Sequence, residues 1–291
     1  MNSPRESSIE ITGRYAGLTQ PRRLAVYEWG ETKNSRVAIC VHGMSRNARD
    51  FDWLARRLSL THRVIAIDCP GRGRSDWLAD PSGYQLPTYV GDLADLLSSL
   101  RLTQVDWIGT SMGGLIGMAV ASGAEPRLRG QIRRLVLNDV GPFLPGKAMD
   151  RIGTYVGRAP RFRTFKPARD YQSSVNAEWA AMSKAQRDHV TFYAVRPHPK
   201  GGFEVHYDPH IADVLHAGPV PDLAVWERWD AVKCPVLVLR GAESDILLAE
   251  TVAEMQRRGP PTSVAEIPGV GHTPSLMKIG QIGMITRFLA E

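Results

Sequence analysis

The sequence predicts an α/β fold, a mainly parallel central sheet flanked by helices, on three observations. Short apolar runs rich in Val, Ile and Leu recur along the chain, and amphipathic stretches with helical spacing separate them. Strands that alternate with helices specify a parallel sheet covered on both faces. The residues able to do chemistry (His42 to Asn47, Ser111, Asp139, Asp245 and His272) all fall just after the apolar runs. In such sheets, functional groups gather at the carboxyl ends of the strands. A chain of 291 residues suffices for one large domain with an insertion, or for two small domains.

Met1 to Glu10 reads as loose chain. Short strands are expected at Ile11 to Leu18 and Leu24 to Trp29, and a buried one at Arg36 to Val41. A helix follows with Phe51, Leu54 and Leu58 on one face, then a strand from Arg63 to Ile67. That strand ends in the glycine-containing stretch Asp68 to Ser75. With no phosphate-loop lysine and no G-x-G-x-x-G, the stretch reads as a tight structural turn. Thr88 to Leu100 is an amphipathic helix carrying Val90, Leu93, Leu97 and Leu100 on one side. A strand from Val105 runs into Ser111 and a second helix, and another strand, Arg134 to Asn138, ends at Asp139.

From about Gly146 to Trp226 the rhythm breaks. No apolar strand of comparable strength occurs there, and Asn176 to His189 is the clearest helical piece. Alternation resumes with a strand at Pro235 to Leu239, a helix at Ala249 to Arg257, a strand at Ser263 to Ile267, the loop of His272 and a last helix, Ile279 to Leu289. Residues 1–145 and 227–291 are therefore expected to form the core, and 146–226 an inserted unit.

At 43% apolar and 23% charged residues, the composition is ordinary for a globular protein. No apolar run approaches the roughly 20 residues needed to span a bilayer. Met1 to Gln20 lacks an apolar signal core, which points to a cytoplasmic location. Cys40, Cys69 and Cys234 are odd in number, lie in or beside apolar runs and form no C-x-x-C, so buried free thiols are expected. The net charge of +6 comes from scattered arginines, which argues against nucleic acid and leaves some attraction for an anionic small molecule. The basic stretch Arg158, Arg161, Arg163 and Lys166 reads as a solvated face. His206, Asp208, His210, Asp213 and His216 lie close together without a zinc-binding spacing. No metal and no organic cofactor is expected, and the oligomeric state is not readable.

The most informative stretch is Gly109-Thr110-Ser111-Met112-Gly113-Gly114, a G-x-S-x-G turn with an apolar strand before it and a helix after it. That is the context of a nucleophile elbow. The helix points its N-terminus at the serine, so free N–H groups and the positive end of its dipole face the place where an anion would form.

His42-Gly43, the Asp68 to Ser75 turn, Gly109 to Gly114, the Gly241 to Asp245 loop and Gly269-Val270-Gly271-His272, in this order, resemble an α/β-hydrolase from about Arg22 to the C-terminus. The resemblance implies a helical cap at Gly146 to Trp226, inserted after the sixth strand, with the substrate bound between cap and sheet. It also implies a triad in the chain order Ser, acid, His. Ser111 is the nucleophile. His272, the only histidine after Asp245, is the base. Asp245 is the favoured acid, Asp139 the alternative and Glu243 a third candidate. The oxyanion donors by resemblance are the backbone N–H groups of Met44 and Met112.

His42 is expected to prop the loop more than to transfer protons, with Arg46 free in solvent or facing a substrate carboxylate. Both remain candidate substrate-binding residues. The implied activity is hydrolysis of a small carboxylic ester through an acyl-enzyme. Carbon–carbon or amide hydrolysis, acyl transfer and a non-catalytic ligand-binding relative remain open. A serine nucleophile argues against the dehalogenase and epoxide hydrolase relatives, which use aspartate.

Overall fold

The structure is a computed structural model that describes residues 3–15, 18–176, 179 and 181–291. Among these residues, the main sheet has eight strands: β1 (Arg5–Ile11), β2 (Arg22–Trp29), β3 (Val37–Val41), β4 (Arg63–Ile67), β5 (Val105–Thr110), β6 (Ile132–Asn138), β7 (Val236–Gly241) and β8 (Thr262–Ile267). Their spatial order is β1-β2-β4-β3-β5-β6-β7-β8. The pairs β1–β2 and β2–β4 are antiparallel, and every later pair is parallel. The α/β class expected from the alternation is the observed one.

The expectation of loose chain at Met1 to Glu10 is corrected by β1. Its residues, Arg-Glu-Ser-Ser-Ile-Glu-Ile, are mostly exposed on the sheet's edge. An edge strand with so little apolar surface leaves no hydrophobic alternation to read, and it is held by its antiparallel pairing to β2. Ala16 and Gly17 of the expected strand Ile11 to Leu18, and Ala177, Glu178 and Ala180 of the expected helix Asn176 to His189, lie outside the described residues. The helix that is described there runs Lys184–Ala194 and starts at a capping box of Ser183 and Gln186.

The strand β3 is apolar along its whole length because both of its faces are covered. Along β3, Val37, Ile39 and Val41 pack into one hydrophobic cluster, while Ala38 and Cys40 pack into the other. Helices Leu86–Ser99 and Met112–Ala121 bury their apolar sides in the first cluster, and Asp52–Leu58 and Ile279–Ala290 in the second. No helix among the described residues is long and apolar enough to cross a membrane. The three cysteines are free; Cys40 and Cys69 are buried and Cys234 is half-buried.

The strand order places the site. It reverses between β3 and β5, so β4 follows β3 to one side and β5 to the other. The loops leaving β3 and β5 therefore face one crevice, the usual position for a ligand in such sheets. On the other side of β5 lies β6, paired so that Thr110 is opposite Asn138. The residues that follow, Ser111 and Asp139, thus leave the sheet at one level.

Between β6 and β7 the chain builds helices such as Gly146–Gly153, Phe165–Val175 and Lys184–Ala194, with strands of two or three residues outside the main sheet. Two backbone bonds tie this inserted segment to the Asp68 to Ser75 turn. Asp208 N–H donates to Gly71 O at 2.7 Å, and Gly73 N–H donates to His206 O at 3.0 Å. A side-chain bond from Tyr84 Oη to Asp208 Oδ2 at 2.7 Å fastens the segment to the chain beyond that turn.

Candidate active site

Ser111 sits at the tip of a strained turn, with φ 51° and ψ −116°. The strain persists because glycine permits a packing that no other residue would. A Cβ on Gly109 would fall 2.3 Å from Gly113 O, and one on Gly113 would fall 2.0 Å from Val41 O. The elbow is thus clamped between its own helix and β3, and Ser111 N–H donates across to Asn138 O at 2.9 Å.

His272, on the loop after β8, reaches Ser111 Oγ with Nε2 at 2.9 Å. Its Nδ1 lies 2.7 Å from Asp139 Oδ2. Asp139 is fully buried and has φ 57°. Its Oδ1 accepts from Gly241 N–H at 2.7 Å, and its Oδ2 also accepts from Ser244 Oγ at 2.6 Å. Three donors therefore surround a carboxylate that has no contact with solvent. This chain of serine, histidine and carboxylate is the arrangement that lets a hydroxyl act as a nucleophile.

The favoured acid, Asp245, is not beside the histidine. Its carboxylate accepts two bonds from Arg151 of the inserted segment, at 2.6 and 2.8 Å, with both side chains about half exposed at 45% and 47%. The reason lies in the loop after β7. Ser244 is buried toward Asp139, while its neighbours Glu243 and Asp245 are exposed. Neither of them meets His272, and the alternative candidate, Asp139, is the carboxylate in contact with it.

His42 is corrected as a substrate-binding candidate. It is buried, and both ring nitrogens bond to backbone: Nδ1 lies 2.7 Å from Gly43 O, and Nε2 accepts from Cys69 N–H at 2.9 Å. These roles fix the tautomer with the proton on Nδ1. The Gly43 carbonyl that His42 holds also accepts Arg46 N–H at 3.1 Å, so the Gly43–Met44 peptide is pinned from behind. The loop abuts the nucleophile: a Cβ on Gly43 would lie 3.6 Å from Ser111 Cβ. Met112 opens the helix after Ser111, and the first N–H groups of a helix have no acceptor within it.

Burial pushes the His42 pKa down from its usual value to about 3. The folded protein therefore resists a proton that the unfolded chain accepts near pH 6.5. Stability from this group is complete above pH 6.5. It is lost at about 1.4 kcal/mol per pH unit as the pH falls toward 3. Melting temperatures recorded from pH 7 to 4 should fall less steeply for His42→Asn than for the wild type, with the remaining slope carried by groups such as His189 and His206, whose pKa values burial also lowers. Equal slopes would mean that His42 is not held neutral.

Arg46 does line the crevice, together with Met44, Ser111 and His272. Its guanidinium forks onto Asp50 at 2.8 and 2.6 Å and lies 4.7 Å over the ring of Trp179. The inserted segment supplies further wall from Ile152, Tyr155, Val156, Asn176 and Trp179. The histidines and acids grouped at 206–216 do not converge on one point: Asp208 accepts from Tyr84, His210 and Asp213 pair with each other, and His216 meets Gly153 O.

Two residues of the site carried no motif. Ser244 donates from Oγ to Asp139 Oδ2 at 2.6 Å. Asn138 donates from Nδ2 to Thr110 Oγ1 at 3.0 Å and to Pro274 O at 2.9 Å, joining the elbow strand to the histidine loop. An Asn ending an apolar strand beside the elbow strand was the available signal.

Residues 38–278 match the model of the alpha/beta hydrolase family. The chain is 42% identical to a 3-hydroxybutyrate-oligomer hydrolase of Cupriavidus necator, over 98% of each chain. It is 25% identical to a 2-(acetamidomethylene)succinate hydrolase of Mesorhizobium japonicum, over 83% of each. A solved structure of a putative hydrolase from Rickettsia typhi superimposes with a TM-score of 0.91 at 31% identity, covering 98% of this chain and 99% of that one. The matched span holds the sheet from β3 to β8 together with Ser111, Asp139 and His272, and the chain accordingly belongs to the alpha/beta hydrolase family.

Proposed function

We propose that this chain hydrolyses short esters bearing a free carboxylate, through an acyl-enzyme on Ser111. The observation that carries the reading is the unbroken path from Ser111 Oγ through His272 to Asp139, at 2.9 and 2.7 Å. His272 takes the serine proton as the hydroxyl attacks the ester carbonyl. Asp139 holds the histidine tautomer and stabilises the imidazolium. The N–H groups of Met44 and Met112 receive the oxyanion, the alcohol leaves with the proton from His272, and water repeats the sequence to release the acid. Residues 146–226 act as a cap that encloses the bound ester.

The carboxylate preference is supported by Arg46 in the crevice beside Ser111, and by the naming of the Cupriavidus relative for 3-hydroxybutyrate oligomers, which are such esters. A guanidinium already forked onto Asp50 reads a second carboxylate by its Nη1 group, whose contact with Gln172 Oε1 is long at 3.4 Å.

Intact mass after treatment with a fluorophosphonate should show one adduct on wild type and none on Ser111→Ala. With a 3-hydroxybutyrate dimer, Arg46→Met should raise KM about tenfold while leaving KM for the dimer's methyl ester within about twofold, the discrimination expected of one charge-assisted bond. An unlabelled folded wild type would sink the serine mechanism. Equal effects on acid and methyl ester would sink the carboxylate preference.

A further inference from the structure

The Asp68 to Ser75 turn holds a charged group that the mechanism above does not use. Arg72 is completely buried. Among the described residues, its guanidinium forms no ion pair with a carboxylate, and its bonds go to neutral atoms instead. Nε donates to Met44 O at 2.7 Å, and Nη1 donates to Pro70 O at 2.8 Å and to Tyr89 Oη at 2.7 Å. Nη2 lies 3.6 Å from Met112 Sδ. The rings of Tyr89 and Tyr84 face it at 5.0 and 5.6 Å.

The neighbouring acids are otherwise engaged. Asp92 is forked by Arg22, Asp208 accepts from Tyr84 Oη, and Asp68 accepts from Ala48 N–H, Arg74 N–H and Tyr27 Oη.

A lone buried cation is costly, because burial removes its hydration and nothing of opposite charge replaces it. This one touches both residues whose N–H groups are assigned to the oxyanion. We propose that Arg72 is a positioning residue of the oxyanion hole. It fixes the Met44 loop through the Met44 carbonyl and sets an uncompensated positive charge behind the two donors, favouring the tetrahedral anion over the neutral ester. The inference rests on the acyl-enzyme reading. A preorganised charge of this kind lowers the barrier because it interacts more strongly with the transition state than with the ground state. The turn is therefore part of the site as well as a structural corner.

The test compares wild type, Arg72→Lys and Arg72→Met. Each is assayed for p-nitrophenyl butyrate turnover, and for binding of a butyl trifluoromethyl ketone and of the secondary alcohol with the same skeleton. The ketone adds Ser111 Oγ to its carbonyl, with the serine proton passing to His272 Nε2, and becomes a hemiketal oxyanion, while the alcohol stays neutral. Arg72→Met should lose about 10- to 100-fold in kcat and the same factor in ketone affinity, with alcohol affinity within about twofold. Arg72→Lys, which keeps the charge, should hold the ratio of ketone to alcohol affinity within about threefold of wild type.

Ketone and alcohol weakened equally in Arg72→Met would reduce Arg72 to a structural tie. So would unchanged ketone binding, or a ratio in Arg72→Lys as low as in Arg72→Met. If Arg72→Met does not fold, Arg72→Lys decides alone: a ratio held supports the charge, and a ratio lost by about 30-fold or more overturns it. A wild type that forms no adduct with the ketone defeats the acyl-enzyme reading itself, and this inference with it. An adduct held equally by wild type and Arg72→Met defeats the inference only.

Discussion

Asp139→Asn should lower turnover of p-nitrophenyl butyrate by about four orders of magnitude, as amidation of the aspartate does in a serine-protease triad. The substitution isolates charge from backbone. Asp139 has φ 57°, a conformation that Asn tolerates nearly as well as Asp. Removed are the negative charge that stabilises protonated His272 and one of two acceptor oxygens. An amide nitrogen at the Oδ2 position would face His272 Nδ1 and Ser244 Oγ as a donor, and would favour the histidine tautomer that cannot take the serine proton.

Asp245→Asn breaks only a half-exposed pair with Arg151. It should leave turnover within about threefold, and exposed pairs of this kind contribute about 0–1 kcal/mol to stability. Initial rates for both variants decide the matter, and the reverse ranking would return the acid to Asp245.

Gly113→Ala should cost the fold about 3–5 kcal/mol and remove activity with it, a large value for one methyl group. The new Cβ would meet Val41 O at 2.0 Å, Val41 C at 2.5 Å and His42 O at 3.0 Å. All three are backbone atoms, so no side chain can turn aside. Either β3 or the helix Met112–Ala121 must move, and the helix carries Met112 while β3 leads to Met44. The bond from Trp107 Nε1 to Gly113 O at 3.0 Å resists that movement from the other side.

Gly91→Ala is the control. Gly91 lies within the helix Leu86–Ser99, and a Cβ there has no neighbour within 4 Å. It should gain about 0.5–1 kcal/mol from the helical preference of alanine. Thermal unfolding should lower the midpoint of Gly113→Ala by about 10 °C relative to wild type. A midpoint within about 2 °C of wild type would mean that the clamp at the elbow gives way easily.

Most of the α/β order was legible because its signal is local. Val37–Val41 is apolar throughout and Val236–Gly241 opens on four apolar residues, and each is followed by polar residues at the sheet's carboxyl edge. Ser111 and His272 could be singled out as candidates for the same reason, each from the few residues around it, and the fold brings the two together. The acid could not. Choosing between Asp139 and Asp245 depends on the pairing of Thr110 with Asn138 and on the burial of Ser244, and both are relations between strands distant in sequence. The strand Arg5–Ile11 was missed because an exposed edge imposes no hydrophobic pattern. Arg72 read as part of a corner because its lack of a counter-charge appears only once its surroundings are assembled around it.

The bonds from Asp208 to Gly71 and from Gly73 to His206 join the inserted segment to a turn that lies far earlier in the chain. Grafting residues 146–226 from one relative onto another would therefore cut across a shared seam. The transplant needs the donor's version of residues 68–75 as well, together with Tyr84, the partner of Asp208. A hybrid carrying only the later segment would inherit one protein's pocket wall fastened to another protein's anchor. The natural unit of exchange in this chain is discontinuous, and recombination at a single pair of breakpoints cannot capture it.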